Sequence, residues 1–235
     1  MAEGELFIIR HATSLYNIAS KDYVTLHGTR KHMPLKWDSS YIDSPLAPQG
    51  ISEAQAVKAA IQQLPISKIL VSPFRRALHT CEELFGDMPN RPPVKVCPLI
   101  AEKCGNAPDL SLFFGTPFPE FTHYDWSELT ALPRYWLLDN VQNTHTADIA
   151  ERASSPQQAQ ELMLAAMRSL YPEKLEAKQD IFRRVERARD YLKQELRQGN
   201  VAIVAHSNFT KHFTLHLFGE GKWLENCGVL RLSLA

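Results

Sequence analysis

Three places in this sequence set polar, chemically versatile residues directly after a short aliphatic run. Arg10 and His11 follow Leu6 to Ile9, Ser72 with Arg75 and Arg76 follows Ile69 to Val71, and His206 with Ser207 follows Val201 to Ala205. Two imidazoles and several guanidiniums suit a phosphoryl group. A guanidinium fork matches paired phosphate oxygens, stays charged at any working pH, and offsets the charge spread over a transferring phosphoryl. Each residue taken singly has an ordinary structural explanation: a strand-end histidine is usually a hydrogen-bonded packing residue, and an arginine near a helix start is usually solvated. What points to a site is the shared position, because structural accidents would scatter these types over strand ends and helix faces.

The elements that must position these residues follow from the pattern around them. The three runs are rich in Ile and Val and read as buried strands, with Val94 to Cys97 as a fourth and Gly228 to Leu234 closing the sheet. Helical periodicity appears over Ser52 to Leu64, Pro73 to Phe85 and Glu173 to Gln198. Ser72-Pro73 reads as a helix start, serine capping and proline in the first turn, with free N–H groups adding partial positive charge. Strands alternating with helices predict an α/β three-layer sandwich, a mainly parallel central sheet with helices on both faces. In such sheets ligands bind beyond the carboxyl ends of the strands, where the polar residues above all fall. One domain over residues 1–235 is expected, with inserts at about 18–44 and 106–156. The first reads as a loop carrying Lys21, Arg30, Lys31, Lys36, His27 and His32, either solvated or facing substrate. The second is rich in aromatics, among them Phe113, Phe114, Phe118, Phe121, Tyr124, Trp126, Tyr135 and Trp136. It is expected to form a lid over the sheet edge, the alternative being a satellite core.

Composition narrows the function class. The chain has 235 residues, 44% of them apolar, enough for a sizeable core. Lys+Arg and Asp+Glu balance at 26 each. Without a standing positive field, nucleic acid and membrane surfaces are not expected partners, and any anion must be held by a local cluster. The aliphatic runs are far shorter than the roughly 20 residues of a membrane helix. Acidic Glu3 and Glu5 stand where a secretory leader would be basic, so a cytoplasmic protein is expected. Cys81, Cys97, Cys104 and Cys227 form no CxxC pair and are expected to be reduced. His212 and His216 have the spacing of paired zinc ligands on a helix, but no glutamate follows His212, so no metal is expected there.

Five segments together resemble the histidine phosphatase superfamily, the phosphoglycerate mutase-like proteins. Ile9-Arg10-His11-Ala12 resembles its Arg-His-Gly signature, and Leu46-Ala47-Pro48-Gln49-Gly50 its Leu-Thr-x-x-Gly segment. Ser72-Pro73-Phe74-Arg75-Arg76-Ala77 is similar to Ser-Pro-x-x-Arg-Ala, Leu99-Ile100-Ala101-Glu102 to the Leu-x-Glu that supplies an acid, and Ala205-His206-Ser207 to His-Gly or His-Ser. The departures are Ala12 for glycine, Ala47 for threonine and Glu53 where glutamine is commoner.

The resemblance implies a phosphatase without cofactor or metal, with His11 as nucleophile forming a phosphohistidine. Arg10, Arg76 and His206 would complete the phosphate pocket, His206 protonated, and Ser14, Asn17 and Ser207 would hydrogen-bond phosphate oxygens. The alignment favours Arg76 over Arg75. Glu102, protonated at rest, would serve as general acid and then base. The residues after it lack the mutase pattern, so Asp109 and Asp43 stand as alternative donors and hydrolysis is favoured over mutase transfer. A catalytically silent phospho-ligand-binding protein is the reading of a different class. The expected partner is a small phosphorylated substrate, with a homodimer left open.

Overall fold

The computed structural model describes residues 4–234, so Glu3 lies outside the described residues. Five strands form one sheet in the order β3-β2-β4-β1-β5. β1 (Leu6–Arg10), β2 (Lys68–Val71), β3 (Val94–Val96) and β4 (Val201–Ala205) are parallel, and β5 (Val229–Leu232) runs antiparallel beside β1. Branched side chains favour these strands because they pack well on a pleat buried on both faces. The two-residue period divides them between two cores. Phe7, Ile9, Ile69, Val71, Ala202 and Val204 join one cluster, while Leu6, Ile8, Leu70, Val201, Ile203 and Ala205 join the other.

α2 (Pro48–Gln62) and α3 (Arg75–Phe85) cover the first face; α8 (Lys178–Leu196) and α9 (Ser207–Phe218) cover the second. The three-layer α/β architecture is therefore as expected. Between α3 and α8 the chain also forms the short helices α4 (Ser127–Thr130) and α5 (Trp136–Asn140), then α6 (Thr144–Arg152) and α7 (Pro156–Leu170).

Local expectations need four corrections. More than a third of the supposed 18–44 loop is one helix: α1 spans Leu15–His27, opened by a Ser14/Asn17 capping box and stopped by Gly28 in the left-handed conformation. It buries only Ser20, so it has no apolar stripe to read. α2 starts at Pro48, four residues before the periodicity, because proline fits the first helical turn. α8 starts at Lys178 rather than Glu173. α3 starts at Arg75 with Phe74 as N-cap, so Ser72 does not cap it; its hydroxyl is taken by His206 instead, 2.7 Å away.

The aromatic insert belongs to the core. Phe113, Phe121, Tyr124, Trp126, Tyr135 and Trp136 are all buried in the cluster on the α2/α3 face, with Phe113 stacked on Trp126 at 5.0 Å. Ring burial of this kind stabilises a core and leaves little apolar surface to close over a ligand. Its contacts with the polar strand-end residues include the turn Ala107–Asp109, which meets Arg76, and Phe118 and Glu120, which meet Arg75.

Candidate active site

Strand register explains why distant residues meet. Arg10 pairs with Ala205 across β1 and β4, and Val71 with Val204 across β2 and β4. The next residues, His11, His206 and Ser72, therefore emerge side by side. The two imidazole centroids are 5.0 Å apart, and His206 Nε2 lies 2.7 Å from Ser72 Oγ. His11 Nδ1 lies 2.7 Å from the Ala12 carbonyl. A carbonyl only accepts, so Nδ1 carries the proton and Nε2 keeps its lone pair. Burial, reinforced by Arg76 and Arg10, pushes His11 well below the ordinary imidazole range. It is a neutral imidazole at rest.

The loop holding that ring is built by its neighbours. Ala12 N–H donates to Thr80 Oγ1 at 3.0 Å, and Asn226 Nδ2 donates to the His11 carbonyl at 2.8 Å. Glu53 accepts from Thr13 N–H and Thr13 Oγ1 at 3.0 and 2.9 Å, which gives this departure a structural role. Gly50 is required there: a Cβ on it would sit 2.1 Å from the Thr13 carbonyl oxygen.

Arg76 is 4% exposed, with its guanidinium carbon 4.7 Å from the Phe74 ring centre. Its Nη1 donates to the Pro108 carbonyl at 2.6 Å and its Nη2 lies 3.7 Å from Asp109. Arg75 points elsewhere, toward Glu120 and the Phe118 ring. The choice between the two arginines thus falls on Arg76. Arg10 donates from Nη1 to the Leu224 carbonyl at 2.7 Å. Arg10 Nε and His206 Nδ1 are buried with no partner among the described residues. Each such orphan costs about 1–3 kcal/mol.

Several expected roles change. His206 is pushed well below the ordinary imidazole range by burial and then Arg76, so at rest it is neutral and not the expected cation. Ser14 and Asn17 spend their hydrogen bonds on each other: Ser14 N–H and Oγ both reach Asn17 Oδ1 at 3.1 Å, and Asn17 N–H donates to Ser14 Oγ. Together they start α1. Ser207 is the first residue of α9, beside His206. Glu102 lies in front of the same helix and only accepts, from Lys103 N–H, Phe209 N–H, and Asn208 N–H and Nδ2, at 2.8 to 3.4 Å. A carboxyl expected to carry a proton is here surrounded by donors.

Asp109, read from sequence only as an alternative, is 6% exposed. Burial, with the Glu102 charge adding and Arg76 opposing, pushes it up to about 7. The other alternative, Asp43, accepts from Arg75 N–H, Leu112 N–H and Ser111 Oγ and ties the start of α3 to the insert. Residues unmarked in the sequence also build the site: Phe74 beneath Arg76, Asn226 behind His11, and Arg184. The Arg184 guanidinium donates to the Leu99, Ala101 and Glu102 carbonyls and pairs with buried Glu176.

Other candidates resolve as structural. His212 Nδ1 lies 2.7 Å from the Asn208 carbonyl and His216 Nε2 3.3 Å from Glu186. Among the described residues no group of three or more His, Cys, Asp or Glu is placed to hold a metal ion. Cys104 is buried and its thiol is pushed well up by burial. No described helix is long and apolar enough to cross a membrane.

Comparison with known proteins agrees with this geometry. Residues 6–111 match the family model of the histidine phosphatase superfamily (branch 1). No curated protein matches the chain in sequence. Among solved structures, it is similar to a putative alpha-ribazole-5'-P phosphatase from Escherichia coli, at 17% identity and TM-score 0.55, over 98% of this chain and 90% of the other. A phosphoglycerate mutase from Bacillus anthracis matches with 17% identity and TM-score 0.55, over 97% and 86% of the two chains. A phosphoserine phosphatase mutant from Entamoeba histolytica, in complex with phosphoserine, matches with 17% identity and TM-score 0.51, over 97% and 89%. At these identities the likeness is one of fold. Residues 6–111 thus match the histidine phosphatase superfamily, and the strand-end histidines come together on a sheet whose fold is similar to that of these phosphatases and this mutase.

Proposed function

We propose that the protein hydrolyses a phosphomonoester through a phosphohistidine on His11, without a metal. The observation that carries this reading is the state of His11: a buried, neutral imidazole whose Nδ1 is committed to the Ala12 carbonyl, 5.0 Å from His206 and under the field of Arg76 and Arg10. His11 Nε2 attacks phosphorus as the bond to the leaving oxygen breaks. Water then attacks the phosphohistidine, the P–N bond breaks, and inorganic phosphate leaves. Arg76 and Arg10 offset the charge on the phosphoryl oxygens. The orphaned Arg10 Nε and His206 Nδ1 gain a partner when an oxyanion binds beside them. That anion also raises both histidines toward their charged forms, and His206 is free to take a proton because it is not the nucleophile.

The proton goes to the leaving oxygen from Asp109 in this reading, and Asp109 then accepts the proton of the attacking water. Poised at about 7 it can do both near neutral pH. Glu102 positions the start of α9 and remains the rival donor. His11→Ala should abolish phosphate release from p-nitrophenyl phosphate; unchanged release ends the hydrolase reading. On an alkyl phosphate, whose leaving oxygen needs a proton, Asp109→Asn should slow turnover about 10²- to 10⁴-fold and Glu102→Gln less. The reverse order returns the acid role to Glu102.

A further inference from the structure

We propose that the outer face of α7, with Trp37 beside it, docks on the same face of a second copy of this chain, the two α7 helices lying antiparallel about a two-fold axis. The surface is separate from the phosphoryl site, and the inference stands whether or not the protein is a hydrolase.

α7 is fixed on its inner side. Ser155 caps it, accepting from Gln158 N–H, and Ala159, Met163 and Met167 bury one stripe in the core. The outer side is open. Glu161, Leu164, Ala165, Arg168 and Ser169 line a furrow of about 480 Å³ together with Trp37. Glu161, Leu164, Ala165 and Arg168 follow the i, i+3, i+4, i+7 spacing of a helix face. They form a second stripe, apolar at its centre and oppositely charged at its two ends.

Those charges decide what the stripe fits. Neither Glu161 nor Arg168 has a hydrogen bond or ion pair among the described residues, whereas Arg152 on α6 and Arg183 on α8 pair with acids on their own helices. Two turns separate Glu161 from Arg168, about 10 Å along the axis, so they do not meet within α7. The midpoint between them falls between Leu164 and Ala165. A two-fold axis there sets Glu161 against the partner's Arg168 and Arg168 against the partner's Glu161, whereas parallel stacking would set like against like. The face is thus complementary to itself turned end for end, the condition of an isologous dimer. Ala165 beside the axis is exposed and small, which lets the helices approach to the usual 8–10 Å or so. Trp37, half-buried, supplies the large aromatic ring in which interface cores are rich. One helix pair with a flanking ring belongs to the small class of interfaces, below about 1,200 Å², so association is expected at micromolar concentrations and above.

Sedimentation velocity on the full chain, from about 1 μM to about 0.5 mM, reads this association as a monomer–dimer equilibrium. Glu161→Arg and Arg168→Glu, each made singly, set like charges face to face at two symmetry-related places, and each should weaken the dimer about tenfold or more. Mixed in equal amounts, the two variants should form a heterodimer. The chain carrying both changes should associate with itself again, because reversing both ends restores the complementarity. Ala165→Lys, a bulky cation beside the axis, should abolish association in every charge background. All three positions are exposed, and thermal melts followed by circular dichroism check that each variant is folded. The rescue by the double change reads the pairing independently of the stability of either single variant. A chain that stays monomeric throughout the range, a dimer indifferent to the single reversals, or a loss that the double change does not rescue overturns the proposal.

Discussion

His11 and Asp109 occupy opposite ends of one electrostatic design. Burial lowers the imidazole and raises the carboxyl, so the base is neutral and the acid is still partly protonated over a common pH range. The direction of each shift sets the pH profile. On the proposed mechanism the acid limb of kcat/KM reports His11 and should lie well below the ordinary imidazole range. The alkaline limb would report Asp109, whose protonated form is lost as pH rises through about 7. Activity on an alkyl phosphate should therefore be highest on the acid side of neutrality and fall above it. Asp109→Asn should remove that fall, and steady-state rates between pH 4 and about 9 would show it. At this scale the residue types were readable, since imidazoles and guanidiniums after strands already point to phosphoryl chemistry. Their protonation states were not, because these depend on burial and on neighbours far along the chain, as burial, Glu102 and Arg76 act on Asp109.

The elements decide which side chains are available for chemistry. Ser14 and Asn17 stand in positions that resemble phosphate ligands, and both also start α1. Ser14→Ala should cost about 1 kcal/mol of stability, the usual worth of a helix cap, measurable by urea denaturation. Gly50 shows the same dependence at a contact between elements. Gly50→Ala would drive a methyl into the Thr13 carbonyl and should cost roughly 1–3 kcal/mol. It should also slow turnover, since Thr13 lies two residues from the nucleophile. The strands and α2, α3 and α8 were legible because their apolar periodicity is their burial. α1 was not, since its caps carry it and it buries almost nothing. Lid and satellite core could not be told apart for the complementary reason: an aromatic-rich stretch looks the same whether its rings cover a ligand or join a core, as six of these do.

At the scale of the molecule, the sheet edge is held from both faces. From the α8 side, Arg184 reaches across to three carbonyls of the segment that carries Glu102, while its charge is balanced by Glu176, which is 0% exposed. Breaking a buried pair by removing one partner leaves the other charge uncompensated. Arg184→Met should therefore destabilise by about 3–5 kcal/mol, a fall in Tm of roughly 10 °C for a chain of this size, visible by calorimetry. Activity should fall even below that transition, because the Glu102 segment loses its anchor. Alternating strands and helices, the five ordered motifs and the types of the phosphoryl-binding residues are properties of local pattern, and the sequence alone determined them. The 5.0 Å approach of His11 to His206, the different surroundings of Asp109 and Glu102, and the burial of Arg184 against Glu176 were decided only by the tertiary structure. Each depends on distance and desolvation between residues remote in the chain, which no spacing along it encodes.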